Sequence, residues 1–160
     1  MKIPHRRPNT SIKHKNLIKL LEPRYGAKGY FIGAAWGPGW DDIIHDLHNS
    51  LLVSDPEYSI AQIKEKFATL RFYTDHLSEE GHAAVRAAEE LSAITCEECG
   101  RPGALRDDQY WIVTLCDLDN KIRNINASLW KYTRWYYTRY WRIRFAIKRW
   151  RKNRNGSAKN

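Results

Sequence analysis

The chain has 160 residues, with 27 Lys and Arg against 18 Asp and Glu, and a net charge of +9. That length suits one ordinary domain with appendages, which buries enough surface to fold without disulfide staples. Three cysteines, an odd number, and the lack of an apolar signal segment after Met1 argue against a secreted disulfide framework, and no apolar run reaches the length of a membrane-spanning helix. We therefore expect a soluble protein of the reducing cytoplasm.

Charge divides the chain into three segments. Residues 1–28 hold eight Lys and Arg against Glu22 alone, residues 29–120 hold six against seventeen acids, and residues 121–160 hold thirteen and no acid. The segments thus carry +7, −11 and +13, and such asymmetry is typical of contact with nucleic acid or a membrane surface, or of arms that fold against an acidic body. We predict a basic N-terminal arm over 1–28, an acidic α+β core over 29–120, and a basic aromatic helix with a tail over 121–160.

The first half of the chain predicts two helices and one possible strand. Residues 1–16 lack hydrophobic periodicity and are assigned no element. Residues 16–22 form a short helical run halted by Pro23, and residues 30–32 are a possible strand. A helix is predicted from Trp40 to about residue 52, since two acids open it and leucines and isoleucines recur at helical spacing.

The second half predicts two hairpins separated by a helix. Residues 60–67 and 70–73 predict the first hairpin, with Leu70 and Phe72 on one face. A helix follows from about 77 to 94 with Ser78 as its N-cap. Its predicted apolar positions are Ala84, Ala88, Leu91 and Ile94. Short strands at 104–106 and 110–115 form the second hairpin, and the chain is predicted to be helical from Lys121 to about Lys152.

The cysteines have the spacing of a zinc knuckle. Cys96 and Cys99 stand three residues apart and are followed by Gly100, which permits a tight turn on which two thiolates reach one ion. The second predicted hairpin then returns the chain at Cys116 and Asp119. We predict that these four side chains bind a structural zinc ion, against the alternative that the cysteines are small buried hydrophobic residues.

Four motifs carry a resemblance to a known group of proteins. They are Gly39-Trp40-x2-Ile43, Gln62-Ile63-Lys64-Glu65-Lys66-Phe67-x2-Leu70-Arg71-Phe72-Tyr73, Thr95-Cys96-Glu97-x-Cys99-Gly100-x-Pro102-Gly103 and Trp111-x2-Thr114-Leu115-Cys116-Asp117. Over about residues 36–119 the chain resembles small uncharacterised proteins of phages and prophages. In that group the position of Asp119 is usually His, which completes a three-Cys, one-His zinc site, and the position of Ala68 is usually Gly. The resemblance implies a phage-type origin and a host-cytoplasm setting, and it implies no activity.

The C-terminal segment is rich in both aromatic and basic residues. A stripe at successive spacings of three or four makes the predicted helix amphipathic. The stripe comprises Leu129, Tyr132, Tyr136, Tyr140, Ile143, Ile147 and Trp150. The candidate nucleic-acid contacts are Trp130, Lys131, Arg134, Tyr137, Arg139, Trp141, Arg142, Arg144, Lys148, Arg149, Arg151 and Lys152, together with Arg6 and Arg7 of the N-terminal arm.

Four interpretations of this helix remain open. Its stripe packs on the domain, or on a second copy in self-association, and leaves the cations solvated. Alternatively, the cations contact phosphates while off-stripe aromatic rings stack on bases. A third interpretation lays the helix on an anionic membrane surface, and a fourth docks it on an acidic protein of the host, as an inhibitor would. Nucleic acid is preferred because both chain ends are basic.

Signals for catalysis are weak. Asp41, Asp42, His45, Asp46 and His48 lie within two helical turns and form the best candidate for a catalytic metal site. Two His three residues apart on a polar helix face are more often solvated, and neither a nucleophile elbow nor a phosphate-binding glycine loop is present. We therefore predict a binding module rather than an enzyme.

Overall fold

The computed structural model describes residues 12–27, 29–108 and 111–129. Within them, four α-helices and two small sheets form an α+β fold, which confirms the predicted class. The helices are α1 (Ile12–Leu21), α2 (Asp41–Ser54), α3 (Glu79–Ser92) and α4 (residues 117–129), and the strands are β1 (Gly33–Ala35), β2 (Ile60–Lys66), β3 (Thr69–Thr74), β4 (Ala104–Arg106) and β5 (Val113–Leu115). The chain divides into two compact units, Met1–Asn120 and Lys121–Asn160.

The larger sheet has the order β1-β2-β3. Strand β1 runs parallel to β2, which α2 makes possible because it connects the two in sequence. The strand predicted at residues 30–32 is wrong in position, since Tyr30 and Ile32 are exposed and the pairing runs from Gly33 to Ala35. The small side chains there carry little β propensity, so local sequence does not mark them.

The predicted hairpin is confirmed as β2 and β3, which pair antiparallel. A two-residue turn at Phe67 and Ala68 joins them, and both residues have positive φ, 53° and 64°. This combination defines a type I′ turn, whose twist matches that of the strands. Leu70 and Phe72 are buried while Tyr73 is exposed, as the alternation predicted.

The main core lies between α1, α2, α3 and the inner face of this sheet. Its most deeply buried large side chains are Leu21, Trp40, Ile44, Leu51, Ile60, Ile63 and Leu70. Helix α1 begins at Ile12, earlier than predicted, and buries Leu17 and Leu21 in the core. The core therefore includes residues before residue 29, with Ile18 and Tyr25 packed against it.

Helix α3 begins after Ser78, whose side chain accepts a hydrogen bond from the Gly81 amide, as the N-cap prediction required. Its predicted apolar face is only partly correct, because Leu91 and Ile94 are 48% and 63% exposed. The helix instead buries small residues, including Ala88 and Ser92, and the Ser92 hydroxyl accepts from the Leu70 amide at 2.8 Å. Small side chains allow α3 to approach the free edge of β3 and cover it.

The second sheet is the predicted hairpin of β4 and β5, although β5 starts at Val113 rather than at residue 110. It lies against the first hairpin, since the buried Thr114 hydroxyl donates to the Ala68 carbonyl at 2.8 Å. Helix α4 begins at residue 117, four residues before its predicted start. No helix among the residues described here is long and apolar enough to cross a membrane.

Candidate metal centre

The first ligand pair lies on a tight turn after α3. The Gly100 amide donates to the Cys96 carbonyl at 2.9 Å, and Gly100 adopts a φ of +74°, which glycine tolerates without strain. The Cys96 amide in turn donates to the Arg101 carbonyl at 2.8 Å. These bonds close the turn, so that the Cys96 and Cys99 side chains project to the same side of it.

The second ligand pair stands where β5 meets α4. The Glu97 amide donates to the Thr114 carbonyl at 3.0 Å, which places the end of β5 beside the turn. Cys116 follows the strand, and Asp119 occupies the first turn of α4, where its amide points at the Cys116 sulfur at 3.4 Å. The hairpin thus returns the chain as the spacing predicted.

The four predicted ligands converge. The ligand atoms of Cys96, Cys99, Cys116 and Asp119 all lie within 4.8 Å of one another. The Cys99 and Cys116 sulfurs are 3.7 Å apart, and Asp119 Oδ2 lies 3.4 Å from the Cys96 sulfur and 3.2 Å from that of Cys116. A tetrahedral zinc ion with bonds near 2.3 Å to sulfur and 2.0 Å to oxygen requires edges of roughly 3.8 and 3.5 Å. These three distances are therefore close to the edges of a tetrahedral metal site.

Three of the four side chains of the site are buried, and together the four would carry net negative charge. Cys96, Cys116 and Asp119 are buried, and burial raises the pKa of the Cys96 thiol to about 12, although backbone N–H groups of Cys116, Glu98 and Cys99 act in the opposite direction. A buried thiolate therefore needs a positive partner. Three thiolates, one carboxylate and a divalent ion would sum to −2, which leaves room for a nearby cation.

Arg101 supplies that cation, and sequence reasoning missed it. Its Nε lies 3.2 Å from the Cys99 sulfur, and its terminal nitrogen lies 3.4 Å from the Cys116 sulfur and 3.8 Å from Asp119. The hydrogen bond to Cys99 raises the pKa of the Arg101 guanidinium. Its position directly after Gly100 is the signal that could have identified it.

Residues 37–40 fasten this site to the main core. The Gly39 amide donates to the Glu97 carbonyl at 2.7 Å, and Trp40 Nε1 donates to the Thr95 carbonyl at 2.8 Å. A Cβ at Gly39 would come within 2.1 Å of the Cys96 carbonyl oxygen, so only glycine fits there. Two of the motifs noted in the sequence, the Gly-Trp pair and the cysteine turn, are thus in direct contact.

The candidate catalytic residues of α2 do not form a common site. Asp41 is buried, and its carboxylate accepts hydrogen bonds from Trp36 Nε1 at 2.9 Å and from His14 Nδ1 at 2.6 Å. His48 forms a hydrogen bond with the Tyr58 hydroxyl. The side chains of His45 and Asp46 are exposed. In the part of the chain that the structure describes, Cys96, Cys99, Cys116 and Asp119 form the sole group of three or more His, Cys, Asp or Glu side chains placed to hold a metal.

The candidate nucleic-acid residues lie outside the described residues. Arg6 and Arg7 precede residue 12, and the twelve candidates from Trp130 to Lys152 follow residue 129.

Fold and site together define a small α+β protein with a cluster of three cysteines and one aspartate able to hold a metal ion. Comparison of the chain with protein-family models, with curated proteins and with solved structures finds no match. The resemblance described above therefore depends on the quoted motifs alone.

Proposed function

We propose that the protein is a nucleic-acid binding module whose α+β body is stapled by a structural zinc ion. The observation that carries the binding function is the charge pattern, in which segments of +7 and +13 flank an acidic body. Dense Lys and Arg with interleaved aromatic residues suit phosphates and bases.

Zinc fits the cluster better than a harder cation does. Three thiolates are soft ligands that favour zinc over magnesium or calcium, and zinc is bound at structural sites by four protein ligands in a tetrahedron. Cys96, Cys99, Cys116 and Asp119 would hold it, and it would join the end of α3 to the start of α4. Metal analysis of the purified chain should give one zinc per molecule, and a content near zero in protein prepared without chelator would contradict this part of the proposal.

Helix α1 adds cations that the structure describes. Lys15 and Lys19 stand one turn apart and exposed, on the side away from Leu17 and Leu21. They extend the N-terminal basic segment along a folded element, which would hold two positive charges in fixed positions for phosphate contact.

The test compares the full chain with charge variants on labelled single-stranded DNA and RNA. Deleting residues 1–28 would remove Leu17 and Leu21 from the core, so substitution of charged side chains is the cleaner change. Lys15→Glu with Lys19→Glu, and separately Arg142→Gln with Arg149→Gln, should weaken retention at low salt without changing the far-ultraviolet spectrum. Replacement of Glu79 and Glu80, exposed acids of α3, by Gln is the control and should weaken nothing. Failure of the unmodified chain to retain either nucleic acid would reject the function.

A further inference from the structure

The outer face of the β1-β2-β3 sheet is unusual in this acidic body. The residues on this face alternate along the strands with the buried Ile63, Leu70 and Phe72. The outward-facing residues are Gln62, Lys64 and Lys66 of β2 and Thr69, Arg71 and Tyr73 of β3. Lys64 pairs with Arg71 in register, and Gln62 pairs with Tyr73. No acid occupies any of these positions.

Half of the positively charged residues of the acidic body lie on this face. Residues 29–120 contain six Lys and Arg against seventeen acids, and three of the six cations, Lys64, Lys66 and Arg71, lie here. Arg71 pairs with Glu89, and the three cations elsewhere each lie near an acid: Arg86 near Glu79, Arg101 near Asp119 and Arg106 near Asp117. Lys66 is exposed and Lys64 is half-buried, and neither forms an ion pair among the residues described. No acid in that part of the chain therefore neutralises their charges.

Two aromatic rings accompany those lysines. Lys64 Nζ lies 5.3 Å from the centre of the Tyr73 ring, and Lys66 Nζ lies 5.4 Å from that of Phe67. Tyr73 is 40% exposed and Phe67 is 68% exposed. The neighbouring strand β1 has only Gly33 and Ala35 beside Gln62 and Lys64, so no large side chain of β1 covers this face.

The position of Phe67 is costly for the hairpin. It holds a φ of 53°, which Asn or Gly adopts with less strain at this place in a type I′ turn. The Phe67 ring is exposed, so packing in the core does not offset the backbone strain. Strained residues cluster at functional sites, where their side chains serve a ligand.

We propose that this face is a stacking surface for single-stranded nucleic acid, an inference that rests on the proposed function and names the form of its ligand. The Tyr73 and Phe67 rings would stack on bases, and Lys64 and Lys66 would contact the flanking phosphates. A duplex does not offer its base faces, whereas an unpaired strand does. Exposed aromatic residues and cations on a sheet are the elements that single-strand binding uses.

The experiment measures binding of the full chain to a fluorescent oligo(U) and oligo(dT) at low salt. Tyr73→Leu should weaken binding about 10-fold through lost stacking, whereas Tyr73→Phe should retain it. Lys64→Glu should weaken binding and lower the salt slope by about 0.7, the share of one phosphate contact on a single strand. Arg86→Glu makes the same charge change on the exposed side of α3 and should change neither the affinity nor the salt slope.

A variant of Phe67 separates binding from folding. Phe67→Asn should raise the thermal midpoint, because Asn tolerates positive φ, while binding weakens several-fold through the lost ring. If the wild type binds but the Tyr73→Leu and Lys64→Glu variants match Arg86→Glu, or if duplex competes as well as single strand, the stacking surface is rejected and the proposed function stands. A wild type that binds no oligonucleotide at all rejects the proposed function itself.

Discussion

Asp119 is the residue on which the candidate metal site depends. It is buried on the first turn of α4, with Oδ2 within 3.4 Å of two cysteine sulfurs. A carboxylate is less usual than His or Cys at a structural zinc site, and the harder oxygen donor is a poorer match to a thiolate-rich set. If the cluster holds zinc as proposed, Asp119 would be its weakest ligand.

Substitution of this ligand should change zinc affinity in both directions. Asp119→His would supply an imidazole nitrogen and should tighten zinc binding, whereas Asp119→Ala should weaken it by at least about 10-fold, the lower end of the cost of losing even an outer-shell partner. Competition with a chromophoric chelator gives both affinities. Asp117→Ala, two residues away at an exposed position, serves as the control. Equal affinities for all three variants and the wild type would show that Asp119 is not a ligand.

The convergence of Cys96, Cys99, Cys116 and Asp119 was predictable from sequence. Cysteine pairs on a glycine turn have few other uses, and the spacing to Cys116 matches one intervening hairpin. Arg101 directly follows Gly100, so its place in the sequence could have indicated its role. Gly39 was not predictable as part of the site, because its role follows from contacts across the fold. Gly39 lies 57 residues before Cys96 in sequence, and nothing local shows that the two meet.

At the scale of elements, the start of α3 is tied to the end of α2 by one carboxylate. Asp55 accepts hydrogen bonds from the Ser78 amide at 2.6 Å, from the Ser78 hydroxyl at 2.9 Å and from the Ser54 hydroxyl at 2.7 Å. These bonds favour the ionised form, so the Ser78 amide above all lowers the pKa of Asp55. The carboxylate thus holds the N-cap residue of α3 in place.

This lowered pKa predicts a pH dependence of stability. A carboxyl whose pKa is lower in the folded chain stabilises the fold above its unfolded pKa of about 3.9, and that contribution is lost as pH falls through the folded value. Asp55→Asn should therefore lower the thermal midpoint at pH 7. The difference in thermal midpoint between this variant and the wild type should shrink as the pH falls below the unfolded pKa of the carboxyl. Thermal melts across this range test the prediction, with Asp46→Asn, an exposed acid on α2, as control. A difference that stays constant with pH would contradict it.

Elements with strong local signals were the predictable ones. Helix α2, the first hairpin and the Ser78 cap follow from acids at a helix start, alternation and capping chemistry. Strand β1 was misplaced because its Gly-Ala-Ala sequence has no propensity for a strand and is defined only by pairing with β2. The start of α1 was missed because basic residues 13 and 15 obscure an apolar side that only packing against α2 shows.

At the scale of the whole molecule, an acidic body is flanked by basic sequence at both ends. Hydrogen bonds from Thr114 to Ala68 and from Trp40 to Thr95 connect the cysteine site to the main core, so that zinc would stabilise the body as one piece. The cations of the sheet face and of α1 would then be held in fixed positions for a nucleic-acid strand.

The salt dependence of oligonucleotide binding tests this account most directly. Binding of the full chain to single-stranded RNA should weaken linearly in log–log form between 50 and 200 mM salt, with a slope near −4 for about six phosphate contacts at roughly 0.7 each. Retention of a cellular partner by the same chain should be abolished by nuclease. An affinity that hardly changes over this salt range, or a partner that survives nuclease, would contradict nucleic-acid binding and point to a protein ligand instead.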